Sequence, residues 1–523
     1  MNKLLVFSTA FLCGMSVMGV EMAATRLLAP YFGASQIVWT IVIGIIMISL
    51  SWGYFRGGKT ADKFNNPDKL FITIWKAAVW ITLIPLLGKY LASVIFMGLM
   101  ALAPSGLIIA GASLSCLVIF SFPLIKLGMV SPYLVKLALD HQDNDGEIVG
   151  KIYALSTIGS LVGTLIPTFI TIPTIGTQKT FLFFAMVLHI LCLYYYIGRR
   201  VKLKRTVITG VLTLAFLIIP FGSNLAFWKE VKAEYESNYN YLIVSENNDV
   251  TTLSTNVGFG FQSASKKDSL FTGYYYDYAS MAPFFLKDVD KLEKIKVLVL
   301  GHGTGTFTKQ VKHVFPNSEI QGVEIDKKVN YIAKEHFGFK DELAKVSISD
   351  GRVFVKTSKE KYDVIFIDAY HDISTPFHMA TKEFYEEVKS CLTENGIIVM
   401  NISIGSTNEK SVSQYLQHTL RACMNKVYSY QTTDNNVILI AMNNYGLEQF
   451  NQNIKNMPQS HQCKKVVDQI KSKVTEVNDK KYVLTDDLSN IELLEQKSFS
   501  DVINKAAAES PLKINLKLKI NQE

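Results

Sequence analysis

Val297-Leu-Val-Leu-Gly301-His-Gly-Thr-Gly-Thr306 is a short apolar run that stops at three alternating glycines. It reads as a buried parallel strand turning into a helix. Glycines at 301, 303 and 305 permit a tight turn and let a ligand approach bare backbone, while the helix that follows offers unpaired N–H groups at its start. About twenty residues on, a second apolar run ends in Glu324, an offset that suits an acid accepting hydrogen bonds from both ribose hydroxyls of a nucleoside. A glycine turn alone is equally a device for packing helix on strand. The acid at this distance favours the ligand.

Outward from this turn, strand and helix alternate: strands at 296–300, 319–324, 346–349, 363–367 and 396–401, with helices from 305, over 327–337 and over 380–392. Such alternation predicts a parallel sheet covered on both faces, with ligands beyond the carboxyl ends of its strands. Four acids fall at or just past those ends: Glu324, Asp350, Asp368 and Asp372. Asp after a strand is commonly a cap or turn residue, but four at successive ends point to a site. Upstream, Tyr241–Val244, Asp249–Thr255 and Gly258–Ser263 read as a small antiparallel hairpin unit. Between the two units, Tyr274, Tyr275, Tyr276, Asp277 and Tyr278 either cover a core or wall a pocket for a cationic substrate, with Tyr276 and Asp277 the candidate contacts.

The first 225 of the 523 residues hold most of the apolar content. Runs at 4–25, 37–55, 70–88, 105–127, 152–174, 178–197 and 206–225 are each close to the ~20 residues a helix needs to cross a bilayer, so seven spans are expected. The run 4–25 is too long for a signal peptide and lacks a cleavage site. The stretch 89–104 reads as an interfacial piece, or as an eighth span. Gly159 and Gly163 form a G-x-x-x-G pattern that lets helices approach. Glu21, Lys76 and His189 lie inside apolar runs, as a polar site within the bundle or as snorkelling and paired groups; Arg26 and Lys151 are expected to anchor at the interface. The expected division is a membrane bundle over 1–227, a linker and β-unit over 228–290, a nucleoside-binding domain over 291–445 and a C-terminal extension over 446–523.

The net charge of +8 is spread thinly, without a basic cluster interleaved with aromatics, which argues against nucleic-acid binding. Six cysteines, at 13, 116, 192, 391, 423 and 463, are far apart in sequence; they suggest neither a metal site nor a disulfide framework.

From about Tyr241 to Glu492 the chain resembles the polyamine aminopropyltransferase (spermidine synthase) family. The matching pieces are Gln262-Ser263, Leu300-Gly-His-Gly-Thr-Gly305, Glu324-Ile-Asp326, Asp350-Gly-Arg352, Tyr362-Asp-Val-Ile-Phe-Ile-Asp368-Ala-Tyr370 and Thr381-Lys-Glu-Phe-Tyr385. The first half resembles the subfamily that fuses such a domain to a transporter-like bundle, through Glu21 to Phe32, Gly57-Gly-Lys-Thr-Ala-Asp62, Ser131-Pro132, Tyr153 to Gly159 and, near the end, Leu484-Thr-Asp-Asp487. The resemblance implies a Rossmann-like fold of the methyltransferase and spermidine synthase type. It also implies transfer of an aminopropyl group from decarboxylated S-adenosylmethionine, as co-substrate and without a metal, to a polyamine or other small amine.

Carried over residue by residue, Glu324 matches the ribose-binding acid, Asp350 with Gly351 the adenine contact, and Asp368 the acid that receives the amine. Gln262, Gly301, Gly303, Thr304 and Gly305 fall in the donor site, Tyr370 and Asp372 in the catalytic loop, and His371 beside the acceptor. Two departures stand out: Thr304 replaces the family's donor-contacting Asp, and Asp372 is displaced by one position in its loop. They keep two alternatives open, methyl transfer from intact S-adenosylmethionine and a non-catalytic nucleoside-binding or transport-associated protein. The family also implies a homodimer.

Basic residues after the second span (Arg56, Lys59, Lys63, Lys69) and after the sixth (Arg199 to Arg205) put both loops in the cytoplasm by the positive-inside rule. With seven spans, an integral protein of a bacterial plasma membrane would then carry its soluble half outside, although the adenosyl donor is cytoplasmic. The expected topology and the expected chemistry therefore pull in opposite directions.

Overall fold

The computed structural model describes residues 2–102, 106–139, 145–197, 203–219, 225, 231–256, 260–370, 375–403, 411–432, 436–455, 457–458, 460–491 and 493–495. Its first half is helical: α1 (Lys3–Phe32), α2 (Gln36–Lys63), α3 (Pro67–Leu102), α4 (Leu107–Gly128), α5 (Val130–Leu139), α6 (Asp145–Ile166), α7 (Ile172–Ile197) and α8 (Leu203–Ile218). Long apolar runs pair their backbone groups within each helix, the arrangement that suits an apolar surrounding. α1 is the central post, buried over most of its length. Its closest neighbour is α6, where a Cβ on Gly159 or Gly163 would collide with the carbonyls of Phe11 and Met15. The G-x-x-x-G pattern is thus a packing device.

By length and composition, five helical stretches among the described residues can cross a bilayer, against seven expected. The difference lies in two places. The runs 152–174 and 178–197 belong to one stretch of 52 residues, Gly146–Ile197, which is broken at Gly176, where φ is +83°. The described helix of the run 206–225 is α8, of 16 residues, short of the ~20 a crossing takes, and 220–224 lie outside the described residues. The stretch from 89 is no separate interfacial piece: residues 89–102 continue α3, because the apolar run passes Lys89 unbroken. Glu21 and His189 are buried in the bundle, whereas Lys76 is exposed. The basic loop at 198–202 and Pro104 lie outside the described residues.

The second half opens with an antiparallel sheet, β1 (Ala233–Glu236), β2 (Tyr241–Asn247), β3 (Val250–Thr255) and β4 (Ser263–Lys266). The third expected strand is shifted downstream, since Gly260 takes φ +98° and ends the loop before β4. Strand alternation gives β2 two faces. Tyr241 and Ile243 pack into the helical core, while Leu242 and Val244 pack on Val329 and Ile332. One short strand is therefore glued to both halves.

After α9 (Tyr275–Ala279) come β5 (Ile295–Leu300), α10 (Thr306–Val314), β6 (Ser318–Glu324), α11 (Lys327–His336), β7 (Lys345–Ile348), α12 (Gly351–Thr357), β8 (Tyr362–Ile367), α13 (Lys382–Ser390), β9 (Leu392–Ile402), α14 (Val412–Cys423), β10 (Lys426–Gln431), β11 (Val437–Met442), α15 (Leu447–Asn453), α16 (Lys464–Lys473) and β12 (Thr475–Glu476). The sheet order is β12-β10-β11-β9-β8-β5-β6-β7. β7, β6, β5, β8 and β9 are parallel, as the alternation predicts, and β11, β10 and β12 add an antiparallel edge. β5 is buried on both faces: Val297 and Val299 enter one core, Leu298 and Leu300 the other. Of the described residues beyond 445, Phe450, Cys463, Val467 and Ile470 complete the first core and Leu484 the second. An α/β Rossmann-like fold behind an apolar helical region is the result.

Candidate active site

Strand order reverses between β5 and β8, and a crevice beyond the carboxyl ends of a parallel sheet opens at such a switch point. The glycine turn after β5 forms its floor. Gly301 sits at φ +84°, and a Cβ there would run into the backbone of Asp368 at the end of β8. The two strand ends that frame the crevice therefore meet only because residue 301 has no side chain. His302 points back under the turn, its ring on Gly322 and edge-on to Phe339 at 4.8 Å, with Nε2 3.1 Å from Thr308 Oγ1. Burial lowers its pKa to about 4, which keeps it neutral and structural.

Glu324, at the end of β6, accepts from the Gly303 N–H at 2.9 Å and the Asp326 N–H at 3.1 Å. Enclosure by the protein outweighs these bonds and raises its pKa to about 7. Asp350 caps α12 through Val353 N at 2.9 Å and turns its other oxygen to His378 Nε2 at 3.2 Å.

Asp368 is held from both sides: Tyr275 Oη donates to Oδ2 at 2.7 Å and Asn401 Nδ2 to Oδ1 at 2.8 Å. Asn401, at the end of β9, is itself fixed by Asn436 Nδ2, 2.9 Å from its Oδ1. Burial pushes the Asp368 pKa up to about 7 against the pull of these donors. A carboxylate poised near neutrality in a cleft suits proton transfer.

One cavity of about 1010 Å³ joins these groups. Of the sequence-derived site residues, Gln262, Tyr276, Gly301, Gly303, Glu324, Asp350, Gly351, Asp368 and Tyr370 line it. Tyr276 Oη donates to Gln262 O at 2.7 Å, and Gln262 Oε1 accepts from Thr255 N at 2.6 Å, so this pair shapes the wall. Tyr370 has its hydroxyl engaged by Asn401 O at 2.5 Å and Ser403 N at 3.0 Å.

Three of the expected site residues lie off the cavity wall. Thr304 is buried, 3.3 Å from the Thr306 hydroxyl, and Gly305, in the left-handed region, starts α10; neither lines the cavity. Asp277 does not face it either: its carboxylate accepts from Thr272 N and Oγ1, Gly273 N and Gln310 Nε2, and so organises the turn before α9. His371 and Asp372 lie outside the described residues. No cluster of three metal-ligating side chains occurs among the described residues.

Asn401, Asn436 and His378 were not singled out from the sequence, and Tyr275 was named only as one of a tyrosine stretch. The polar residue closing the apolar run Ile397-Ile-Val-Met-Asn401 was the available signal for one of them. Nor was the far wall foreseen, which comes from the helical half through Phe32 to Ile37, Trp39 and Ile108. Two sequence matches prove architectural: Arg352 of Asp-Gly-Arg binds Glu387 at 2.8 Å and Asp486 of Leu484-Thr-Asp-Asp487 at 2.7 Å, pinning the C-terminal segment behind α12.

Residues 281–456 match the spermine/spermidine synthase domain. The chain is 39% identical over 231 residues to a probable polyamine aminopropyl transferase of Bifidobacterium longum (strain NCC 2705), covering 44% of this chain and 50% of that one. It is 30% identical over 218 residues to a polyamine aminopropyltransferase of Vibrio vulnificus (strain CMCP6), covering 39% of this chain and 70% of that one. A probable spermidine synthase of Corynebacterium glutamicum ATCC 13032 has a solved structure similar to 51% of this chain and 93% of its own, at 16% identity and a TM-score of 0.38. The chain spans half the length of the Bifidobacterium relative.

Proposed function

We propose, from the premise that this chain belongs to the polyamine aminopropyltransferase family, that it is a membrane-bound transferase moving an aminopropyl group from decarboxylated S-adenosylmethionine to an amine. The observation that carries the reading is Asp368, clamped by Tyr275 and Asn401 in the same cavity as Glu324. Glu324 and the bare turn at Gly301 and Gly303 suit the donor's ribose, and Asp350 its adenine edge. A protonated amine cannot attack carbon; Asp368 orients it and takes its proton. The amine nitrogen then bonds to the propyl carbon, the carbon–sulfur bond breaks, and its electron pair stays on sulfur in methylthioadenosine. The sulfonium supplies the leaving group, so alignment is the protein's main contribution.

Methyl transfer from the intact donor is the second reading, kept because the parallel sheet and Glu324 suit either adenosyl sulfonium. Purified full-length protein incubated with each donor and a panel of amines separates the two. Methylthioadenosine is the product expected from the decarboxylated donor; S-adenosylhomocysteine from the intact donor, with no methylthioadenosine, would overturn the first reading.

A further inference from the structure

The wall opposite the strand ends is built by the bundle. Phe32 ends α1, Ile37 and Trp39 begin α2, and Ile108 begins α4; Tyr239 and Phe261 of the β-unit close the gap between them. All six are apolar or aromatic. They sit where membrane helices end, the level at which a bilayer passes from hydrocarbon to headgroups and where Trp and Tyr concentrate. The cavity's 1010 Å³ is at the upper limit for one drug-sized ligand, leaving room beyond a nucleoside.

Its acids are few. Among the described lining residues the carboxylates are Glu324, Asp350 and Asp368, and the first two are taken up by the donor under the proposed reading. Among the described residues one remains for the acceptor, and on the bundle wall itself the lining side chains named above offer no carboxylate to a second ammonium. The two halves are held together at this point: Arg26 Nη2 donates to Asn238 O at 2.6 Å and the Thr177 N–H to Glu236 Oε1 at 2.8 Å. The apolar wall is therefore a fixed part of the site.

We infer that the acceptor is an amphiphilic primary amine, with its nitrogen at Asp368 and an apolar tail lying along Phe32, Trp39 and Ile108 toward the bilayer. The inference rests on the proposed aminopropyl transfer for the head group alone. The nitrogen gives its proton to Asp368 and bonds to the propyl carbon as the carbon–sulfur bond breaks, the pair remaining on sulfur.

The test uses the full chain in lipid nanodiscs, with the decarboxylated donor and primary n-alkylamines from butylamine to dodecylamine, beside putrescine. Methylthioadenosine release is expected to rise in kcat/KM by about 4-fold per methylene over the first few additions, the factor for burying one methylene, and Trp39→Ala to cut the dodecylamine-to-butylamine ratio at least tenfold. A flat series, or preference for putrescine, overturns the inference while leaving the transferase reading intact. Binding of a fluorescent dodecylamine in the presence of methylthioadenosine, referenced to empty nanodiscs, separates the other case. Displacement that strengthens with chain length and weakens in Trp39→Ala, without turnover of any amine, supports the tail site and removes the transfer chemistry. Displacement indifferent to chain length overturns the tail site whatever turns over.

Discussion

Asn401 donates to Asp368 Oδ1 over 2.8 Å while Asn436 holds the amide from behind. Each carboxylate oxygen of Asp368 has two lone pairs, and the Asn401 and Tyr275 bonds use one on each, leaving the others for an incoming amine. The clamp also favours the charged form of an acid that burial would protonate. Asn401→Ala is expected to lower kcat by about 10- to 100-fold, the scale of a lost hydrogen bond to a charged group, with little effect on methylthioadenosine affinity. The acid limb of the kcat/KM profile moves to higher pH, because a donor that lowers the pKa has gone. An unmoved limb would mean Asn401 only packs.

Wild-type kcat/KM should climb with pH and level off above about 7, where Asp368 and Glu324 ionise. Asp368→Asn removes the base and is expected to cost about 10²- to 10⁴-fold in kcat. Stability moves the other way. The folded protein holds the Asp368 proton up to about pH 7 and the unfolded chain releases it near 4, so this group's contribution to stability is lost as pH rises through that window. Asp368→Asn should therefore melt higher than wild type at pH 8 and much like it at pH 4. Thermal scans at the two values check the sign.

Glu324→Gln keeps the shape of the side chain and removes its charge. Calorimetry with methylthioadenosine should show affinity falling by an order of magnitude or more, since two charge-assisted bonds are worth about 1.5–3 kcal/mol together. Equal affinities would remove the ribose assignment without touching Asp368.

Arg352 carries a different load. Its guanidinium is nearly buried between Glu387 and the half-exposed Asp486, and that pairing holds Asp486 down at about 2. Arg352→Met should destabilise the soluble half by roughly 2–3 kcal/mol, less than a fully buried pair because Asp486 stays hydrated. Denaturant unfolding is the measurement. Turnover per folded molecule is expected to change little.

What could be read ahead of the structure was local. The turn at 301–305 and the acid at 324 belong to consecutive elements, so chain spacing fixes their meeting. Asn401 and Tyr275 converge on Asp368, with Asn436 behind Asn401, from segments up to 161 residues apart (436 minus 275), where pairing depends on sheet order that no spacing encodes. Asp277 misled for the converse reason: tyrosines around an acid look like a cation pocket, but the nearest unpaired N–H groups belong to its own turn. The bundle's share of the cavity was invisible because hydropathy tells which residues meet lipid and not which helix ends meet a neighbouring domain.

The fit of α1 against α6 has a consequence in time. Ser160 Oγ bonds to the carbonyl of Gly14, a residue 146 positions earlier in the chain. At ribosomal speeds of about 5–20 residues per second, the first helix waits roughly 7–30 seconds before this partner is made. Through that interval the face of α1 that carries Gly14 has, within the chain, only α2 to α5 for company. Assembly of this protein is thus paced by synthesis, and a bulky residue at 159 or 163 would show itself in newborn chains that never close.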